Sequence, residues 1–384
     1  MPKAKKESVG FAIALSADNQ QQSKIIKADF IQTIINLLSQ SNLSQSFEVV
    51  IIPDYYAQKI IDFDSAFEVL TKSRSKFMIY GRARMRILKG EPNNILDLNG
   101  IVAHSTFPPS IKRSLQAEFT ELFPRRLIVG EDDMFAFEIS AEFLSVTAKY
   151  IIGVTAQLSS DTEYALQLFH EVKSYASQSK VNVPSIVKIR NRIDRRLFGS
   201  YVISARVLYH EWRKTKENET MQKMFGALTN ALQYKKKHYD LNMLLSIAEF
   251  VINKNIDEAI RLIFQVKNDD QYIWSLNLGF LFTYKGEMEK ACKHYRIAFK
   301  HGVSNDALFQ TEEFINWVLD SNPELYQLHF ALGLINLQGK EDYITAQSEF
   351  TEFVASNVGK EYEPYIQKAQ SHLALIKRRI SVEN

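Results

Sequence analysis

The stretch Tyr272–Gly302, YIWSLNLGFLFTYKGEMEKACKHYRIAFKHG, decides how most of this 384-residue chain folds. Its apolar residues recur at three- and four-residue spacing on both sides of Tyr284-Lys285-Gly286-Glu287, which predicts two helices joined by a turn at Gly286. Small residues stand at Gly279, Ala291 and Ala298, and large ones at Leu278 and Tyr295. Small residues at those places let two helices approach closely. Large ones fill the layer between the helices.

The frame recurs. Ile152-Gly153, Ser160, Ala165, Phe169 and Val172 take the same places in a segment near 146–179. Ala259, Ile263 and Val266, with Lys254 at the turn, take them near 240–268. Leu332-Gly333, Gly339, Ala346 and Phe350 take them near 324–356, with one residue inserted in the turn. Pro323 follows Phe314, Ile315 and Val318, where such a unit favours a proline. The pattern resembles the tetratricopeptide repeat, a helical hairpin of about 34 residues that stacks into a solenoid. The resemblance implies an irregular solenoid over 131–384. Residues 180–239 keep helical spacing without the signature, and 303–323 are too few for a full unit. An amphipathic helix at 365–380 fits an end cap. The resemblance also implies a concave groove lined by Ile273, Leu276, Phe280 and Thr283, and by Gln327, Phe330, Leu334 and Leu337. That groove is apolar and suits an amphipathic partner helix. The chain itself, a second copy or plain core packing are the other occupants.

Upstream the period changes. Val9–Ser16 alternates as a strand, Ile25–Leu38 has a helical face, Phe47–Ile52 is a buried strand, and Ala57–Leu70 is helical. Phe77–Leu88 alternates, with Tyr80, Arg82, Arg84 and Arg86 on one face. A turn at Lys89–Asn94 precedes a strand at Ile95–His104, a helix at Ser110–Phe123 and a strand at Arg126–Val129. The order fits a sheet with one parallel crossover and a hairpin, covered by helices. The expected fold is therefore α+β: a small α/β amino-terminal domain with a mixed sheet (1–130), then an all-α solenoid (131–384).

The composition excludes whole classes. With 46% apolar and 24% charged residues and a net charge of +3, the chain is neither disordered nor supercharged. Lys3, Lys5 and Lys6 before Val9–Ala17 mimic a short signal peptide, but the alternation favours a first strand. With the lone Cys292 this gives a cytoplasmic expectation. No metal set, nucleophile or cofactor motif is present. The strand Val9–Ser16 is followed by Ala17-Asp18-Asn19-Gln20, not by a glycine-rich phosphate loop. His104 reads as a polar strand end. Glu131-Asp132-Asp133 reads as the acidic first turn of a helix. Cys292 reads as a surface or packing residue, His294 and His301 could share a helix side but make a poor metal site without acids, and Asp269-Asp270 and Glu312-Glu313 read as turn and helix-start residues.

Charge is uneven along the chain. Residues 180–240 carry 14 Lys and Arg against five acids. Lys188, Arg192, Arg195 and Arg196 share a helix face, which makes them a candidate docking surface for phosphate backbone or an acidic protein, or a face paired with acids elsewhere. Arg82, Arg84 and Arg86 form a second basic stripe, opposed across the hairpin by Asp97. The expected function is a non-catalytic intracellular adaptor that binds a protein partner, with homo-oligomerisation also open. Alternatives are nucleic-acid binding through 180–240 and small-ligand sensing in the α/β domain.

Overall fold

A computed structural model describes residues 1–5, 9–19, 24, 31, 32, 35, 47–88, 91–102, 118, 121–122, 126–130, 134–158, 160–178, 184–266, 272–356 and 359–383. The fold is mixed, with a sheet in the amino-terminal part and helices in the carboxy-terminal part. The last described strand ends at Gly130, and the described elements from Met134 onward are all helical. By contacts the chain divides into two compact units, Met1–Ser204 and Ala205–Asn384.

In the first unit, β1 (Val9–Ala17), β2 (Phe47–Ile51), β3 (Ser75–Leu88), β4 (Glu91–Val102) and β5 (Arg126–Gly130) form one sheet in the order β2-β1-β3-β4-β5. β1 is parallel to both β2 and β3. The chain therefore makes two parallel crossovers where the sequence predicted one. β1 lies inside the sheet, and both its faces are apolar: Phe11, Ile13 and Leu15 are buried on one side, Ala12 and Ala14 on the other. The alanine face packs under α1 (Asp54–Ala57) and α2 (Phe63–Lys72), against Val50, Ile52, Ala66, Leu70 and Met78.

Three local expectations are corrected. The helix predicted over Ala57–Leu70 is broken, because Asp62 starts a new one. Its carboxylate accepts from the Ser65 backbone N–H at 2.9 Å, and the Ser65 hydroxyl accepts from the Asp62 N–H. The strand predicted from Ile95 begins at Glu91, with Pro92 opposite Ile87. Proline is tolerated there because it stands near the strand's first residue. The helices expected at Ile25–Leu38 and Ser110–Phe123 lie largely outside the described residues.

Helices α3 (Met134–Leu158), α4 (Thr162–Gln178) and α5 (Pro184–Thr215) follow, and the division between the units falls within α5. The second unit adds α6 (Asn218–Leu232), α7 (Tyr239–Ala248), α8 (Ile256–Phe264), α9 (Ile273–Tyr284) and α10 (Met288–His301). It ends with α11 (Asn305–Ser321), α12 (Gln327–Leu334), α13 (Tyr343–Ala355) and α14 (Glu363–Glu383). Close approach of neighbouring helices depends on glycine. A Cβ on Gly153 would lie 2.7 Å from the Phe169 ring, one on Gly279 2.8 Å from Tyr295, and one on Gly333 2.6 Å from Phe350. Helices α7 and α12 each finish in a π turn, Glu249–Asn253 and Ile335–Lys340, closed by a left-handed residue, Lys254 or Glu341. Among the described residues, no helix is long and apolar enough to cross a membrane.

Candidate functional site

The strand order places one crevice by topology alone. From β1 the chain crosses to β2 on one side, then returns past β1 to β3 on the other. Open α/β sheets bind ligands where connections diverge in this way, outside the carboxyl ends of the strands. Here that point lies between the ends of β1 and β3, which pair through Ser16↔Arg82 and Ala17↔Ala83.

Ser16 is buried, and its hydroxyl donates to the Gly81 carbonyl at 3.3 Å. Asp18 follows the last strand residue and takes Arg82 at 2.9 Å. Both side chains of that pair are substantially exposed, so the bond contributes at most about 1 kcal/mol and can be exchanged. Arg84 lies one residue past the last β1 pair, on the same face as Arg82 and half-buried. Its Nε is buried without a hydrogen-bond partner. Tyr80 completes this row. Burial raises its phenol above the ordinary range, and the charge of Asp62 adds to that. The predicted stripe is thus a real face, with Arg82 opposite Asp97 and Arg86 opposite Asn93. Sequence reading missed Ser16 and Asp18 as site residues, because nothing local marks a strand end as the place where crossovers part.

Part of the basic face of α5 is engaged by acids, the alternative the sequence left beside a docking surface. The Arg196 guanidinium donates to Glu118 at 2.6 Å, and Arg192 donates to Glu121 at 2.7 Å. The Tyr150 hydroxyl donates to Glu118 at 2.6 Å, and Lys188 reaches the Glu121 carbonyl at 3.3 Å. Burial alone would raise the Glu118 carboxyl. The Tyr150 hydrogen bond and the two arginines outweigh it and hold the group below the usual range. Tyr150 is pushed up to about 12, chiefly by burial. Of the four predicted cations, only Arg195 stands exposed with no ion pair among the described residues. Farther along α5, Arg213 and Lys216 meet Glu313 at 2.6 and 3.2 Å. Four cations of the basic segment, Arg192, Arg196, Arg213 and Lys216, are thus paired with acids distant in sequence. Glu312 and Glu313 are mid-helix ion-pair residues, not helix-start residues.

The predicted apolar groove is closed. Leu276, Phe280, Thr283, Gln327, Phe330, Leu334 and Leu337 are all buried, and Ile273 is half-buried. Part of the reason is α11, the helix in the segment too short for a repeat. It packs against α9 and α12. Phe314 meets Phe280 edge-to-face at 5.2 Å and Phe250 at 5.8 Å, and Trp317 meets Trp212 at 5.3 Å. Glu312 binds Lys340 at 2.6 Å and Asn336 at 2.8 Å. What remains is a cavity of about 280 Å³ between α7, α9 and α11, to which Ile273 and Phe280 contribute.

The other candidates are quickly placed. Cys292 is half-buried, and burial raises its thiol. His294 packs against Phe282 and Trp274, with its Nδ1 3.2 Å from the Ser275 hydroxyl; burial lowers its pKa to about 4. His301 stacks on Tyr272 at 4.0 Å. His104, Glu131-Asp132-Asp133 and Asp269-Asp270 lie outside the described residues. Among the described residues, no group of three or more His, Cys, Asp and Glu could hold a metal ion.

No family model matches the chain, and no solved structure matches it. A curated protein does: the UDP-glucose 6-dehydrogenase of Campylobacter jejuni subsp. jejuni serotype O:2 is 25% identical over 235 residues. The match takes in 55% of this chain and 58% of that enzyme, so less than two thirds of the relative is spanned. This likeness to an enzyme overturns the expectation of a non-catalytic adaptor.

Proposed function

We propose that the α/β unit belongs to an enzyme-type protein and binds a small phosphorylated polyol of the nucleotide-sugar class, in the crevice at the carboxyl ends of β1 and β3. The observation that carries this reading is the buried, unpartnered Nε of Arg84 beside Arg82. A buried donor without an acceptor costs about 1–3 kcal/mol, and an anionic oxygen would satisfy it. Asp18 suits the same ligand class, because a carboxylate next to the phosphate contact accepts from sugar hydroxyls. The substrate printed in the name of the Campylobacter enzyme is a nucleotide sugar, which supports the ligand class.

A dehydrogenase also needs a hydride acceptor. The dinucleotide cradle requires glycines where the first strand passes into its helix, so that the backbone can approach the pyrophosphate. This chain has Asp18 and Asn19 there, and no glycine between Gly10 and Gly81. The residues do not fit a dinucleotide at that place, and no hydride step is assigned to them.

For the helices from 146 onward, we propose a tetratricopeptide-like array. The equivalent glycine–ring contacts Gly153–Phe169, Gly279–Tyr295 and Gly333–Phe350 support it, as do the buried small residues Ala165, Ala291 and Ala346.

Isothermal titration of the full chain with UDP-glucose, UDP and inorganic phosphate tests the ligand site. UDP-glucose is expected to bind most tightly, and Arg84→Gln to weaken it at least about tenfold, as for a charged hydrogen bond. Absence of binding by all three at millimolar concentration, or an unchanged affinity in Arg84→Gln, would overturn the reading.

A further inference from the structure

The cavity between α7, α9 and α11 is walled by aromatic rings. Phe250 and Phe280 meet edge-to-face at 5.1 Å, and Phe314 closes the triad. Arg206 and Asp240 stand at the rim as an ion pair, so the opening carries no net charge from them. Two polar groups on the lining have no use within the fold. Tyr209 and Asn277 are both lining residues, and neither the Tyr209 hydroxyl nor the Asn277 side-chain amide makes a hydrogen bond among the described residues.

We propose that this cavity is a binding site for a neutral, flat, two-ring aromatic molecule carrying one hydroxyl or carbonyl group. Size sets the first limit. An apolar cavity of about 150 Å³ stays dry and accepts one benzene ring. At about 280 Å³ this one has room for two fused rings. Chemistry sets the second. Aromatic guests pack offset or edge-on against such walls. A charged guest would lose its hydration against the apolar walls, because the charged lining residues stand at exposed or half-buried positions, Arg206 and Asp240 paired with each other and the exposed Asp306 accepting from Gln310. Position sets the third. Tyr209 and Asn277 come from different helices, α5 and α9, and offer a donor and an acceptor to one polar substituent. Water alone is a poor filling, because most of the lining is apolar and a buried water needs two to four polar partners. This site is chemically unlike the arginine crevice and does not depend on it.

The test uses the full chain with 2-naphthol as the probe, naphthalene as its hydroxyl-free analogue, and fluorescence or calorimetry as the readout. Saturable one-to-one binding of 2-naphthol is expected, with no competition from UDP-glucose. Tyr209→Phe should weaken 2-naphthol roughly three- to tenfold, the worth of one hydrogen bond, and leave naphthalene unchanged. Ala307→Phe and Ile247→Phe each fill the cavity from a different helix and should abolish both ligands. The two are offered together so that one failing to fold still leaves a test. Lack of saturable binding would overturn the proposal. So would binding that survives in a filled variant with wild-type circular dichroism and melting, or a Tyr209→Phe variant that binds 2-naphthol as wild type does.

Discussion

At the scale of single residues, two titratable groups make the stability of this protein depend on pH in different windows. His294 is held neutral, with its pKa lowered to about 4 by burial and, secondarily, by Lys293. An unfolded histidine titrates near 6.5. Between those values the unfolded chain takes a proton that the fold refuses, so stability falls as pH falls, by up to about 3 kcal/mol. The urea midpoint should therefore drop between pH 7 and pH 4.5, and His294→Gln should flatten that drop. All three tryptophans, Trp212, Trp274 and Trp317, lie in Ala205–Asn384, so their fluorescence reports this unit alone. Glu118 works lower on the scale. Its folded pKa is depressed, so its contribution is present above about pH 4.3 and is lost as pH falls through the folded value. Glu118→Ala leaves Arg196 and Arg192 without their shared carboxylate and should cost about 3 kcal/mol, read as a lower melting temperature. Neither role was visible in the sequence. His294 looked like one of several scattered histidines, and Glu118 lies 78 residues from Arg196, beyond the reach of any local pattern.

At the scale of elements, the glycines separate packing from propensity. Gly279→Ala drives a methyl into the buried Tyr295 ring and should destabilise by about 1–3 kcal/mol. Gly226→Ala, on an exposed helix position with nothing within 4 Å, should stabilise by about 0.5–1 kcal/mol. Opposite signs from one substitution in two helices, measured by thermal melting, would check the contact directly. The left-handed closures make a second case. Lys254 has φ 53° and Glu341 φ 58°. Replacing either with glycine removes a Cβ penalty and should raise stability by about 1 kcal/mol. These elements were also the legible ones. Period, turn residues and the small–large alternation over Tyr272–Gly302 lead straight to α9 and α10, because each of those signals is local. The π turn at Ile335–Lys340 shows why the later match needed one more residue: the extra residue is wound into the end of α12. The course of α11 was not legible. Its length marked it as unlike a repeat, but only tertiary packing decides that Phe314 and Trp317 turn toward Phe280 and Trp212.

At the scale of the molecule, the change from strands to helices near residue 130 is not the edge of a compact unit. Glu118 is bonded by Tyr150 and Arg196, both beyond that point. A fragment ending at residue 130 should fail to melt cooperatively, while one ending at residue 204 should give a cooperative transition by far-ultraviolet circular dichroism. Overall charge was the least informative quantity in the sequence, because +3 averages a basic segment with an excess of acids elsewhere. That long-range pairing has a consequence for how the protein is made. Chains fold as they emerge, amino terminus first. Arg192 and Arg196 find Glu121 and Glu118 already synthesised, but the partner of Arg213 and Lys216 is Glu313, about a hundred residues downstream. Throughout that interval the nascent chain carries an unsatisfied basic patch beside the ribosome's own polyanionic surface, and translation must run on to α11 before the patch is quenched from within.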